Sequence, residues 1–284
     1  MSRPSAWLLI ALCLGATALL PSAVRGATRP TATLLGVGDI ASCDVETDER
    51  VADLVARTPG TVALLGDLAY DSGTATEFAR CFMPAWGRMM PRIRASLGNH
   101  EYANGGSDAS VARSIFGLSA GGWYSFDVGA WHVVALNSNC EEVGGCSAGS
   151  RQWRWLRRDL QRHPAARCTL AFWHHPRFSS GLHGSDVRLA AFWSLLAQER
   201  ADVVLSGHDH DYERFAPIAG MRSFVVGTGG RGLRPFEAIH PESVARQAES
   251  FGVLRLTLRP RGYSWRFLTA SGPAYGDSGS GTCR

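Results

Sequence analysis

Five short apolar segments of this 284-residue chain each break off at a side chain that can bind a cation. The breaks read Gly38-Asp39, Gly66-Asp67-Leu68-Ala69-Tyr70, Gly98-Asn99-His100-Glu101, Trp173-His174-His175-Pro176 and Gly207-His208-Asp209-His210. Apolar runs this short, closed by glycine, predict β-strands. Helical spacing lies between them: Val51, Leu54 and Val55, then residues 75–90, 150–162 and 187–198. Alternating strands and helices predict an α/β fold. Tyr124–Val128 and Trp131–Leu136 flank Gly129-Ala130 as a hairpin, and β-type runs at 223–227, 252–258 and 263–269 close the chain. These additions predict two mixed β-sheets packed face to face with flanking helices. The Gly/Ser-rich tail 271–282 reads as a loop unless Cys283 ties it down.

In open α/β sheets, ligands bind beyond the carboxyl ends of the strands. A lone Asp there is ordinarily a helix N-cap, and a lone His-His pair is ordinarily a surface pair. Five such ends in one chain exceed what capping explains. Glycine before the ligand suits a turn where backbone approaches a bound group closely.

Composition removes several rival chemistries. All 29 Lys+Arg residues are arginine. Without lysine there is no P-loop, and no Schiff-base or pyridoxal chemistry. A net charge of +4, spread evenly, gives no footprint for nucleic acid. Arg3 followed by the uncharged run Ala6–Leu20 and by small residues predicts a secretory signal peptide over 1–26, cleaved near Gly26. Residues 27–284 then form a single catalytic domain, secreted, with no membrane span after cleavage. Arginine without lysine points to a GC-rich, bacterial genome.

Beyond Cys13, six cysteines remain: Cys43, Cys81, Cys140, Cys146, Cys168 and Cys283. An even set in an exported protein predicts disulfides. Six cysteines allow fifteen pairings. Cys140 and Cys146 bracket a Gly-rich loop and are expected to pair locally. Cys283 is a candidate staple to Cys168, which would leave Cys43 with Cys81.

The five strand ends together resemble the calcineurin-like metallophosphoesterase superfamily, and within it the purple acid phosphatases. The pattern is GD, GDxxY, GNH[DE], a His after an apolar strand, and GHxH, and it runs from residue 39 to 214. Most of the superfamily has D-x-H at the first block; here Ala41 stands at that His. Purple acid phosphatases replace the lost ligand by the Tyr of GDxxY, and Tyr70 stands there. The resemblance implies the superfamily's four-layer sandwich and a small phosphate-ester substrate. It also implies two metal ions: Asp39, Tyr70 and His210 on Fe(III), Asp67 bridging, and Asn99, His174 and His208 on Zn, Mn or Fe(II). Phenolate and carboxylate suit the trivalent ion, imidazole and amide the divalent one. By the same resemblance a metal-bridging hydroxide attacks phosphorus, His100 contacts the phosphate and His183 protonates the leaving group. Glu101 is expected to stand behind the ligands, and His175 either to stand there or to take a catalytic part. The amino-terminal β-sandwich of plant relatives is expected to be absent.

The chemistry expected is phosphomonoester hydrolysis. Phosphodiester cleavage on the same site is the close alternative, and a non-catalytic extracellular binding module a remote one, since none of the seven ligand positions is lost. A lactamase-type dizinc site would want H-x-H-x-D-H, and Asp211-Tyr212 follow His210 instead. The Gly-rich stretch 227–232 is expected to border the site, with Arg231 or Arg234 as candidate substrate contacts. Arg151, Arg154, Arg157, Arg158 and Arg162 form a basic helix face opposite Trp153, Leu156 and Leu160, and read as a solvated face.

Overall fold

The computed structural model describes Met1 and residues 31–103, 108–163 and 168–284. Apart from Met1, the segment read as a leader lies outside the described residues. In chain order the strands are β1 (Ala32–Val37), β2 (Thr61–Leu65), β3 (Ile93–Ser96), β4 (Tyr124–Val128), β5 (Trp131–Ala135), β6 (Thr169–Phe172) and β7 (Val203–Ser206), followed by β8 (Tyr212–Phe215), β9 (Arg222–Val226), β10 (Ser243–Gln247), β11 (Phe251–Arg259), β12 (Gly262–Ser271) and β13 (Ser278–Thr282). They form two mixed sheets, ordered β13-β12-β11-β1-β2-β3 and β10-β8-β9-β7-β6-β5-β4. Parallel pairs run to one edge of the first sheet, β1 with β2 and β2 with β3, and fill the centre of the other, β5 with β6, β6 with β7 and β7 with β9. Antiparallel strands are added at the flanks.

The two-residue period of a strand sorts its side chains between layers. On β2, Val62 and Leu64 point into the core under the helix Thr47–Arg57, while Ala63 and Leu65 point between the sheets. On β6, Leu170 and Phe172 lie between the sheets, while Ala171 and Trp173 face the helices Arg151–Arg162 and Ala190–Gln198. Three apolar cores therefore separate four layers: helix, sheet, sheet, helix. Each fully buried Leu or Phe in them contributes about 1.5–3 kcal/mol.

Several elements depart from the sequence reading. Residues 75–90 are helical in pieces, passing from an α-turn through a π-segment at Phe78–Phe82 to a 3-10 segment at Gly87–Arg92. Pro84 and Pro91 remove the N–H groups that a continuous helix would use. Strands β8 and β10 were not expected; β8 follows the GHxH block without a break. The tail, read as a loop unless Cys283 ties it down, is tied by Cys168–Cys283, and Ser278–Thr282 adds β13 to the sheet edge. Glycines alternate there because rings cover them: a Cβ on Gly279 would sit 2.3 Å from Trp265, and one on Gly281 2.6 Å from Tyr263. All six cysteines are paired, as Cys43–Cys81, Cys140–Cys146 and Cys168–Cys283.

Candidate metal centre

Parallel strands end on the same edge, so β1, β2, β3, β6 and β7 deliver their five terminal loops to one place. The two sheets are joined there. Gly38 N donates to Val226 O at 2.9 Å, and the His174 ring contacts Leu65 O through Nδ1 at 2.8 Å. With Nδ1–H given to that carbonyl, His174 turns Nε2 toward the centre.

The backbone is bent to aim the side chains. Asp39, Asp67 and His208 have φ of 60°, 50° and 72°. They are half of the six non-glycine residues with positive φ among those described. Asp and His tolerate this region better than most residues, yet each such position costs about 1–3 kcal/mol. Glycine is required at two neighbours. A Cβ on Gly98 would stand 2.0 Å from Asp67 Oδ1, and one on Gly66, at φ +87°, 2.6 Å from His174 Nδ1.

Two knots of donor atoms result. In the first, Tyr70 Oη lies 3.1 Å from Asp39 Oδ1, 3.1 Å from Asp67 Oδ2 and 3.3 Å from His210 Nε2. In the second, His174 Nε2 lies 3.0 Å from Asn99 Oδ1, 3.1 Å from His208 Nδ1 and 3.3 Å from Asp67 Oδ2. The single atom Asp67 Oδ2 belongs to both. All seven side chains expected from the sequence as ligands are thus brought together.

The donor chemistry fits a pair of cations. Asp39 and Asp67 are buried carboxylates. One phenolic proton faces two carboxylate oxygens and a ring nitrogen, so the first knot is short of positive charge. Burial pushes Asp39 well above the usual carboxylate range, against the charge of His174 and with that of Asp67. Burial acts on Asp67 too, but the charge and hydrogen bond of His174, with His100 and His208 beyond, hold it far below that range. His174 shows the reverse: burial pulls it down, and Asp67 and Asp39 carry it up to about 9. Burial and the charge of His174 push His208 down, and burial takes His210 to about 4. Both rings are therefore neutral near pH 7, the form that ligates metal. Burial and the two carboxylates push the Tyr70 phenol up, so its anion needs a cation beside it.

The outer residues surround this centre. His100 Nδ1 contacts the Asp71 carbonyl oxygen, and His100 Nε2 lies 3.7 Å from Asp67 Oδ2. His183 stacks on His208 with ring centroids 4.3 Å apart, and its Nε2 accepts from Arg234 at 2.8 Å. His175 is tied to Ser138 Oγ through Nδ1 at 2.8 Å, its ring 4.4 Å from that of His208; burial takes it to about 3. Glu101 stands behind Asp67. It accepts from Asp67 N at 3.1 Å, Leu68 N at 2.8 Å and Gly98 N at 2.8 Å, fixing the turn that aims Asp67. Of the two arginines on the Gly-rich stretch, Arg231 lies 4.8 Å over the Tyr70 ring and bonds Asp71 and Ser42.

Sequence reasoning missed two supports. Asp209 accepts from His183 N at 2.8 Å and from Ser179 Oγ, and so carries the loop that presents His183. Its position inside GHxH was the available signal. Ser138 follows β5 in the polar run Asn137-Ser138-Asn139, a sixth strand end of the same kind as the other five.

Comparison with known proteins now decides the family. The calcineurin-like phosphoesterase pattern matches residues 32–212. The chain belongs to the calcineurin-like phosphoesterase family. Its curated relatives include purple acid phosphatases. It is 26% identical over 239 residues to purple acid phosphatase 15 of Arabidopsis thaliana, covering 68% of this chain and 44% of that protein. It is 30% identical over 187 residues to human acid phosphatase type 7, covering 56% of this chain and 42% of that protein. These matches span less than half of either relative. Among solved structures, the purple acid phosphatase PPD1 of yellow lupin superposes with a TM-score of 0.76 at 20% identity, over 88% of this chain and 53% of that one. At that identity the likeness is one of fold. Both sheets and the flanking helices are those of the phosphoesterase fold.

Proposed function

We propose that this phosphoesterase is a phosphomonoester hydrolase of the acid phosphatase type that works with two metal ions. One observation carries the reading: Asp67 Oδ2 lies 3.1 Å from Tyr70 Oη and 3.3 Å from His174 Nε2, so one oxygen serves both donor knots. Asp39, Tyr70 and His210 would hold Fe(III). Asn99, His174 and His208 would hold Zn, Mn or Fe(II), with Asp67 shared. Two ions bound there supply Lewis acidity toward a phosphoryl oxygen and acidify a water at neutral pH.

The chain's own groups do the rest. Glu101 keeps Asp67 aimed through three backbone amides. His100, with Nδ1–H given to the Asp71 carbonyl, has Nε2 left to donate to a phosphoryl oxygen when the ring is protonated. His183 holds its proton on Nδ1 while Arg234 occupies Nε2. To protonate the departing alkoxide it would act as the imidazolium, with Arg234 released from Nε2 and the proton carried there passed to the alkoxide oxygen. We also propose secretion through residues 1–26, ahead of a single catalytic domain at 27–284. Six cysteines in three disulfides suit an oxidising compartment, and no helix among the described residues is long and apolar enough to cross a membrane.

The test is a visible spectrum of Fe(III)-loaded protein alongside p-nitrophenyl phosphate turnover. A phenolate–iron charge-transfer band is expected in the wild type and is lost in Tyr70→Phe. A band that survives the substitution removes Tyr70 from the ligand set.

A further inference from the structure

The helix Arg151–Arg162 exposes all five of its arginines: Arg151, Arg154, Arg157, Arg158 and Arg162. At about 100° per residue they fall within an arc of about 140°. Gln152, Leu156, Asp159 and Leu160 are buried on the opposite side. Trp153 and Trp155, each half-buried, lie at the two margins of the basic arc, and each also packs against the core beneath the helix, the side to which the sequence assigned Trp153.

No carboxylate of the helix balances this stripe. Its one acid, Asp159, is turned inward and bonds His132 Nε2 at 2.6 Å and Ser125 Oγ at 2.7 Å. The arginine ion pairs among the described residues lie elsewhere, at Arg88, Arg113, Arg188, Arg214 and Arg231. The pattern also works against its own helix. The first turn holds no acid, so Arg151 faces the positive end of the helix dipole. Like charges stand three or four apart at 151/154, 154/157, 154/158 and 158/162, where they repel. A face selected only for solvation mixes signs. This one keeps a single sign along about 18 Å.

We propose that this helix face docks the protein on an anionic phospholipid bilayer. Arginines suit headgroup phosphates, and indoles at both margins suit the depth between water and acyl chains. A nucleic-acid backbone would engage the arginines and leave the indoles unused. The helix is also latched to the catalytic edge: Gln152 Oε1 accepts from Asn137 N at 2.7 Å, and Gln152 Nε2 donates to Asn137 O at 2.8 Å. Ser138, the next residue, holds His175.

The experiment is co-sedimentation of the full chain with vesicles of phosphatidylcholine alone, or of equal parts phosphatidylcholine and phosphatidylglycerol. The protein is expected to pellet only with the anionic vesicles and to be released at about 0.5 M salt. The quadruple variant Arg151→Gln, Arg154→Gln, Arg158→Gln, Arg162→Gln should bind about 1000-fold more weakly, with turnover of a soluble phosphomonoester unchanged. A control that neutralises exposed Arg246, Arg259, Arg261 and Arg266 should bind like wild type. Three results each overturn the proposal: no pelleting with anionic vesicles, an equal loss in the control, or retention of a DNA duplex without vesicle binding.

Discussion

At the residue scale, the centre depends on side chains held in place by groups that never touch substrate. Glu101 is the clearest case. Burial, then the charge of Asp67, raise it to about 7 against its amide hydrogen bonds, and it still accepts from three backbone N–H groups. Glu101→Gln keeps the size but turns an NH2 group toward donors. It should cost about 2 kcal/mol of stability and lower turnover more than it raises KM, as urea melts and steady-state kinetics would show. Asp67→Asn should leave the fold intact while abolishing measurable turnover; wild-type activity in that variant would remove the shared-oxygen role. The five strand ends were legible in the sequence because each closes an apolar run, whereas the full seven-residue set, Tyr70 and His210 included, was implied by the family resemblance. The positive φ at Asp39, Asp67 and His208 was not legible, since backbone strain leaves no mark on residue type when Asp and His are already the chemistry required. Nor was the Arg234–His183 contact, which joins residues 51 positions apart.

Among the elements, β13 depends most on ties beyond its own sequence. Ser and Gly are poor strand formers, and local propensity predicts a loop. Non-local ties decide otherwise. Cys283 is bonded to Cys168 at the start of β6, Arg284 N donates to Asp202 Oδ1 at 2.8 Å, and the Tyr263 and Trp265 rings lie over the glycines. Cys283→Ser should destabilise the fold by about 2–5 kcal/mol. Hydrogen exchange should rise first in Ser278–Thr282, with β1 and β2 least affected; unchanged protection across β13 would show that the rings alone hold it. The central parallel strands were readable because each is an apolar run bounded by turns. Strands β8 and β10 were not. The run that becomes β8, Tyr212-Glu213-Arg214-Phe215, carries two charged side chains, and the buried Glu213 accepts from the backbone N and the Oγ of the distant Ser180.

Over the whole molecule, the two sheets must stay in register for the two knots to share Asp67. Away from the centre, Asp277 helps to join them. It accepts from Tyr212 Oη at 2.6 Å and from Arg214 Nε at 2.8 Å on β8, and from Trp265 Nε1 at 3.2 Å on β12. Burial pushes the Asp277 carboxyl up, but those hydrogen bonds outweigh it and hold its pKa below the usual value. A carboxylate with a depressed folded pKa contributes stability above its unfolded pKa and loses it as pH falls through the folded one. Asp277→Ala should therefore cost about 3 kcal/mol at neutral pH. The gap to wild type should narrow below about pH 4, as thermal melts across pH would show. The two face-to-face sheets followed from strand–helix alternation with the added hairpins, and the four layers from the family resemblance, whereas the join at Asp277 rests on contacts between distant segments. The central claim is that seven side chains on five strand ends hold two ions through one shared oxygen. Elemental analysis of purified protein, followed by chelation and metal restoration with phosphomonoester turnover recorded at each stage, tests it most directly. The account predicts two metal equivalents per chain, loss of turnover on stripping and recovery on reloading; full turnover by metal-free protein would contradict it.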